Sequence, residues 1–92
     1  MIEEIVKNPE ISGGRAIIKD TRICVMDVVE AHYVLGYAPE KIAKEFGTGV
    51  SKVFSALAYY HEHREEIEKD IRENKKILLE KLHSSKLLEI TR

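Results

Sequence analysis

One stretch bounded by proline and glycine, Pro39-Glu40-Lys41-Ile42-Ala43-Lys44-Glu45-Phe46-Gly47, constrains this chain more than any other feature. Proline suits the first turn of a helix, where its missing N–H has no intrahelical partner to lose, and glycine lets the chain leave a helix through a positive φ. The stretch predicts a helix from Pro39 to Phe46 and a tight turn at Gly47. Ser51 reads as the N-cap of the next helix, its hydroxyl accepting from one of the unpaired N–H groups. Ile42, Phe46, Val53 and Leu57 supply apolar faces that meet, and Ala43 is small enough for the two helices to cross closely. Two short helices in this relation make a helix-turn-helix.

The flanking segments complete an architecture. Val25, Val28, Val29, His32 and Leu35 follow a helical period closed by Gly36, which gives a first helix over Val25–Leu35 and a three-helix core. Before it, isoleucines alternate with the turn formers Asn8-Pro9 and Gly13-Gly14, so short strands are expected around Ile2–Val6, Arg15–Ile18 and Arg22–Cys24. After Val50 no glycine or proline follows, and Glu65–Lys69 and Glu68–Arg72 each place an acid one turn before a base. A single long helix through about His83 is the expectation. The fold class is mainly α: a helix-turn-helix core, residues 25–63, between an N-terminal β element, residues 1–24, and a C-terminal helical extension, residues 64–92. With 92 residues in all, these form one domain.

Composition narrows the function. Fifteen Lys and Arg against sixteen Asp and Glu leave a net charge of −1, so no global field draws the chain to DNA or acidic lipid, and any nucleic-acid contact must come from a local patch. No apolar run approaches the ~20 residues of a membrane span, and the acidic start Glu3-Glu4 is unlike a signal peptide, which points to the cytoplasm. Cys24 is the single cysteine and reads as a small buried apolar residue. His61 and His63 lie two apart on a helix and point in different directions, and His32 falls on an apolar face. No Ser or Cys stands beside a His, and the tail carboxylates lack apolar surroundings that would split their pKa values. The sequence therefore offers no catalytic set, no metal site and no cofactor site.

In a helix-turn-helix the second helix enters the major groove with its N-terminal residues leading. The residues in that position are Thr48, Gly49, Ser51, Lys52 and Ser55, with Tyr59 one turn beyond. Lys52 and Ser51 suit phosphate and Ser55 suits a base edge, but no Arg, Asn or Gln is present for bidentate base reading. Operator binding, if made, is expected to be weak and poorly selective. The alternative stays open: Ser51 serves only as a cap, Lys52 is a solvated base, and the core is used for packing. Arg22 poses a similar choice, between a phosphate clamp and a pair with Asp27 or another carboxylate that fixes the β element on the helices.

Asn8-Pro9-Glu10-Ile11, Gly14, Ile17, Thr21-Arg22-Ile23, Val25, Gly36 and Pro39-Glu40-Lys41-Ile42-Ala43 together resemble the pattern of family 433 of the domains of unknown function, over roughly residues 5–63. Members carry Gly where Asp20 stands here, so Asp20 must make a turn it tolerates less well. The resemblance implies a short β element on a homeodomain-like helical core, with Thr21, Arg22, Gly36, Pro39, Ala43 and Gly47 as its structural motif. It also implies kinship to antitoxins paired with PIN-type ribonuclease toxins, in which a DNA-binding or dimerising domain carries a toxin-binding extension.

The tail fits such an extension. Ile67, Ile71, Leu78 and Leu82 form one apolar stripe, and Leu87 and Leu88 follow the Ser84-Ser85 interruption. Residues 61–92 carry eight basic and eight acidic groups, so protein, rather than DNA or membrane, is the surface this stripe should meet: the chain's own core, a second copy or a groove of another protein. A core of this size should leave the stripe unburied, which makes a homodimer the expected assembly. The favoured reading is an antitoxin that neutralises a PIN-type ribonuclease through the tail and binds operator DNA through residues 39–60. The alternative is an interaction or dimerisation adaptor whose helix-turn-helix touches no DNA.

Overall fold

The structure is a computed structural model that describes the backbone of residues 2–90 and the side chains of residues 2–77. Ile2-Glu3-Glu4 forms a turn closed by the Ile5 N–H on the Ile2 carbonyl, 3.2 Å, so the first strand begins later than expected. β1 (Ile5–Lys7) pairs antiparallel with β2 (Ala16–Ile18), Ile5 opposite Ile18 and Lys7 opposite Ala16. Where a third strand was expected at Arg22–Cys24, only a bridge between Ile17 and Cys24 forms. The reason is the turn after β2. Asp20 takes a φ of +63°, the strained conformation its position demands, and the Thr21 hydroxyl donates to the Ile18 carbonyl at 2.8 Å while accepting from the Ile23 N–H at 3.0 Å. The chain is folded back so sharply that it enters a helix before a strand can extend.

That helix, α1 (Val25–Tyr33), stops two residues short of Leu35. His32 lies 2.8 Å through Nδ1 from the Tyr37 carbonyl and ties down the connection to α2 (Pro39–Phe46). Gly47 closes α2 at φ +69°, with the Thr48 N–H reaching the Ala43 carbonyl at 2.9 Å. α3 (Val50–Glu62) starts earlier than Ser51 allowed. Gly49 is its N-cap, its carbonyl accepting from the Lys52 and Val53 N–H groups at 3.1 and 3.3 Å, and Ser51 sits inside the first turn without a capping bond.

The expected single long helix is broken at His63, whose φ of −134° and ψ of 47° leave helical space. Its N–H still caps α3 on the Tyr59 and Tyr60 carbonyls, and its ring stacks on Tyr59 with centroids 4.1 Å apart. α4 (Arg64–Ile90) then sets off in a new direction. Its ion pairs run base-first, Arg64 to Glu68 and Lys69 to Glu73, instead of the expected acid-first pairs.

The core draws on every element. Ile17, Ile18, Val25, Val28, Ile42, Val53 and Ile67 are fully buried, and Cys24 lies among them as a plain apolar side chain. Each such side chain contributes about 1.5–3 kcal/mol from burial. The two-stranded element and three core helices thus form one mainly helical unit, of helix-turn-helix type. No described helix is long and apolar enough to cross a membrane.

Candidate functional site

The buried residues of α3 are Val53, Ala56, Leu57 and Tyr60, which fixes the helix's rotation. At 100° per residue the outermost line is then Ser51, Ser55, Ala58 and Glu62, with Lys52 and Tyr59 on one flank and Val50, Phe54 and His61 on the other. The proposed reading residues therefore do not share one open face. Ser51 is exposed, while Thr48, Lys52, Ser55 and Tyr59 are half-buried.

What covers the Lys52 flank is the N-terminal β element. The Ser55 hydroxyl donates to Glu4 Oε2 at 2.8 Å, and Lys52 Nζ lies 3.6 Å from Glu4 Oε1. Glu4 is thereby held below the usual carboxylate range, first by the Ser55 hydrogen bond and then by the Lys52 charge. Tyr59 is likewise engaged, its hydroxyl donating to Glu66 of α4 at 3.0 Å, and Lys7 of β1 pairs with the same carboxylate at 2.9 Å. Glu66 raises the Lys7 pKa, while burial and then the Glu66 hydrogen bond raise that of Tyr59. This network also fastens the start of α4 to β1. Neither Glu4 nor Glu66 carries a sequence signal for these roles, because both pairings join segments far apart in the chain.

The other flank is aromatic and apolar. Phe54 is 53% exposed and Tyr33, from the end of α1, 52% exposed, with the Tyr33 hydroxyl 2.6 Å from His61 Nε2. The outward side of α3 thus presents hydroxyls, apolar surface and an acid, with its one cation neutralised by Glu4. Of what phosphates and base edges call for, this side keeps hydroxyls, while its cation is in an ion pair.

In the tail, the structure separates the stripe into parts. Ile67 is fully buried in the chain's own core and Ile71 packs against it, so these two are not free to meet a partner, and the argument for a dimer from their exposure fails. The three core helices and the β element leave a groove that the first two turns of α4 fill. Lys75, Lys76 and Ile77 are exposed, Ile77 at 45%. Leu78, Leu82, Leu87 and Leu88 lie outside the described side chains.

Arg22 does not pair with Asp27. It is exposed and, among the described residues, makes no ion pair or side-chain hydrogen bond. It stands instead on the rim of a hollow of about 590 Å³ over the outer face of the hairpin, which Asn8, Pro9, Ile11, Ile17, Thr21 and Arg22 all line. These residues are scattered through the first quarter of the sequence, and the turn at Asp20-Thr21 brings them together. Lys19, also on that rim, was not singled out by any sequence pattern.

A β hairpin clasped to three helices, with α2 and α3 in helix-turn-helix relation and a fourth helix leaving at a one-residue break, defines a small helix-turn-helix domain with a β cap. The chain belongs to the family described as protein of unknown function (DUF433), whose model matches residues 5–60. The match spans the β element, α1, α2 and most of α3, and α4 lies beyond it. A crystal structure of a DUF433 member protein from Anabaena variabilis is similar, with 28% identity and a TM-score of 0.67, over 75% of this chain and 68% of that one. No protein of curated function matches.

Proposed function

We propose that this protein is the antitoxin half of a toxin–antitoxin pair, acting in the cytoplasm to silence a PIN-type ribonuclease through the distal part of α4. The helix-turn-helix core serves as its base. The observation that carries the reading is the change in burial along α4, from Ile67 in the core to exposed Lys75, Lys76 and Ile77, while the helix runs on to Ile90. At ~1.5 Å per residue its 27 residues reach about 40 Å, and the part beyond Asn74 carries the leucines of the stripe. An amphipathic helix of this kind fits an apolar groove on another protein. Operator binding through Lys52 and Ser55 is no part of this reading, since Glu4 holds both. That same contact favours a second reading, in which the protein is an interaction adaptor or homodimer that binds no DNA.

Growth rescue tests the first reading. A neighbouring ribonuclease gene is co-expressed with the full chain, with Leu78 and Leu82 both changed to Ala, and with a chain ending at Asn74. Ending at Glu66 would remove Ile67 and unfold the core, so that truncation is unsuitable. Rescue by the full chain alone, with both variants still folded by circular dichroism, is the expected result. Equal rescue by the chain ending at Asn74 refutes the reading, and failure of the full chain to rescue favours the adaptor.

A further inference from the structure

We propose that the hollow over the hairpin's outer face is a second binding site, one that takes a peptide segment carrying a carboxylate beside a branched aliphatic side chain. This goes beyond the reading of α4 and does not depend on it. At about 590 Å³ the hollow falls within the ~300–1,000 Å³ range of ligand sites. Its floor is apolar, formed by the half-buried Val6 and Ile11 over the fully buried Ile17. Its rim supplies donors. Lys19 and Arg22 make no ion pair or side-chain hydrogen bond among the described residues, and lysine and arginine donate only. Asn8 spends its carbonyl oxygen on the Glu10 N–H at 2.9 Å, which leaves its amide hydrogens to face a ligand. The Thr21 hydroxyl is used in both directions by the turn. Asp20 is the one carboxylate on this rim, and the two unpaired cations outweigh it.

Such a rim selects a ligand rich in acceptors, and the planar guanidinium of Arg22 suits a carboxylate. The floor separates a peptide from a nucleic acid. It holds no aromatic ring on which a base could stack, whereas the accessible parts of Val6 and Ile11 match a leucine, isoleucine or valine. A polynucleotide backbone would gain nothing from that floor.

Titration of the nitrogen-15-labelled full chain with a hexapeptide alternating glutamate and isoleucine tests the assignment. Saturable amide shifts are expected at Val6, Ile11, Ile17 and Arg22. Changing Lys19→Glu and Arg22→Glu together should weaken binding at least about tenfold, the scale of one charge-assisted contact, with the thermal midpoint unchanged because both side chains are exposed. A peptide with serine in place of isoleucine should not bind. The proposal is overturned if no saturable shift appears up to about 1 mM peptide, if the shifts centre elsewhere, if the double variant binds equally well, or if the serine peptide is as good.

Discussion

Ile67→Ala decides whether the start of α4 belongs to this chain's core or to an interface between chains. The side chain is fully buried, in a cluster that includes residues of every other element. Alanine removes three carbons, worth about 2.4 kcal/mol at ~0.8 kcal/mol each, and the cavity left behind brings the expected loss to about 3–4 kcal/mol. A domain of this length has about 5–14 kcal/mol in total, so the variant should remain folded but lose a large share of its margin. At ~4–8 °C per kcal/mol, a loss of 3 kcal/mol corresponds to about 12–24 °C in Tm. The assay is urea unfolding followed by circular dichroism, at two widely separated protein concentrations, with Ile77→Ala as control. Ile77 is 45% exposed and its truncation should cost less than about 1 kcal/mol. An unchanged midpoint in Ile67→Ala, or a loss seen only as altered concentration dependence, would refute the intrachain packing.

Three further outcomes follow from other parts of the molecule. Gly47→Ala should destabilise by about 1–2 kcal/mol through its positive φ alone, since nothing lies within 4 Å of the added Cβ; a neutral result in thermal unfolding would mean the turn can relax. Glu4 should titrate below the ordinary glutamate value by carboxyl NMR, so that its contacts with Ser55 and Lys52 contribute above the unfolded pKa and fade as pH falls through the folded one. Ser55→Ala should raise that pKa more than Lys52→Ala does, and the reverse order would show the charge to outweigh the hydrogen bond. In mobility shifts with the chain's own promoter fragment, Glu4→Gln should strengthen any low-salt retardation and Lys52→Ala weaken it, because the carboxylate and the ammonium offset one another; no change from either variant would remove this flank from a DNA contact.

Local chemistry made some of these features readable from sequence and long-range pairing hid others. Pro39 and Gly47 bound α2 at the expected residues because proline fixes its own φ and glycine enters the left-handed region without steric cost, and Asp20 takes the positive φ that the resemblance implied. The buried stripe of α3 follows from periodicity. Which flank of α3 meets the β element does not, since periodicity gives a helix's inner face but not its neighbours, and so the contacts of Lys52 and Ser55 with Glu4 and of Tyr59 with Glu66 were not foreseen. The break at His63 lacks the usual glycine or proline and is held by stacking on Tyr59, with the Lys7–Glu66–Tyr59 network close by. The stripe Ile67–Ile71 was rightly read as apolar and wrongly given to a partner, because the groove it fills exists only after the hairpin and α1 have packed. For Arg22 the sequence left a carboxylate partner and a phosphate clamp both open, and the Thr21 turn places it exposed on the hollow's rim with no carboxylate partner among the described residues.

The one-residue break at His63 makes reach and bearing separate variables. Upstream, α3 is committed to the core by four buried residues; downstream, each residue added beyond Asn74 would advance a contact by ~1.5 Å and turn it by ~100°. A single insertion there would swing the leucines away from whatever they address, while seven would bring them back to within ~20° of the same heading, two turns farther out. Under the proposed function, indels in whole heptads would change how far from the core this helix meets its partner, with no substitution anywhere in the domain that holds it.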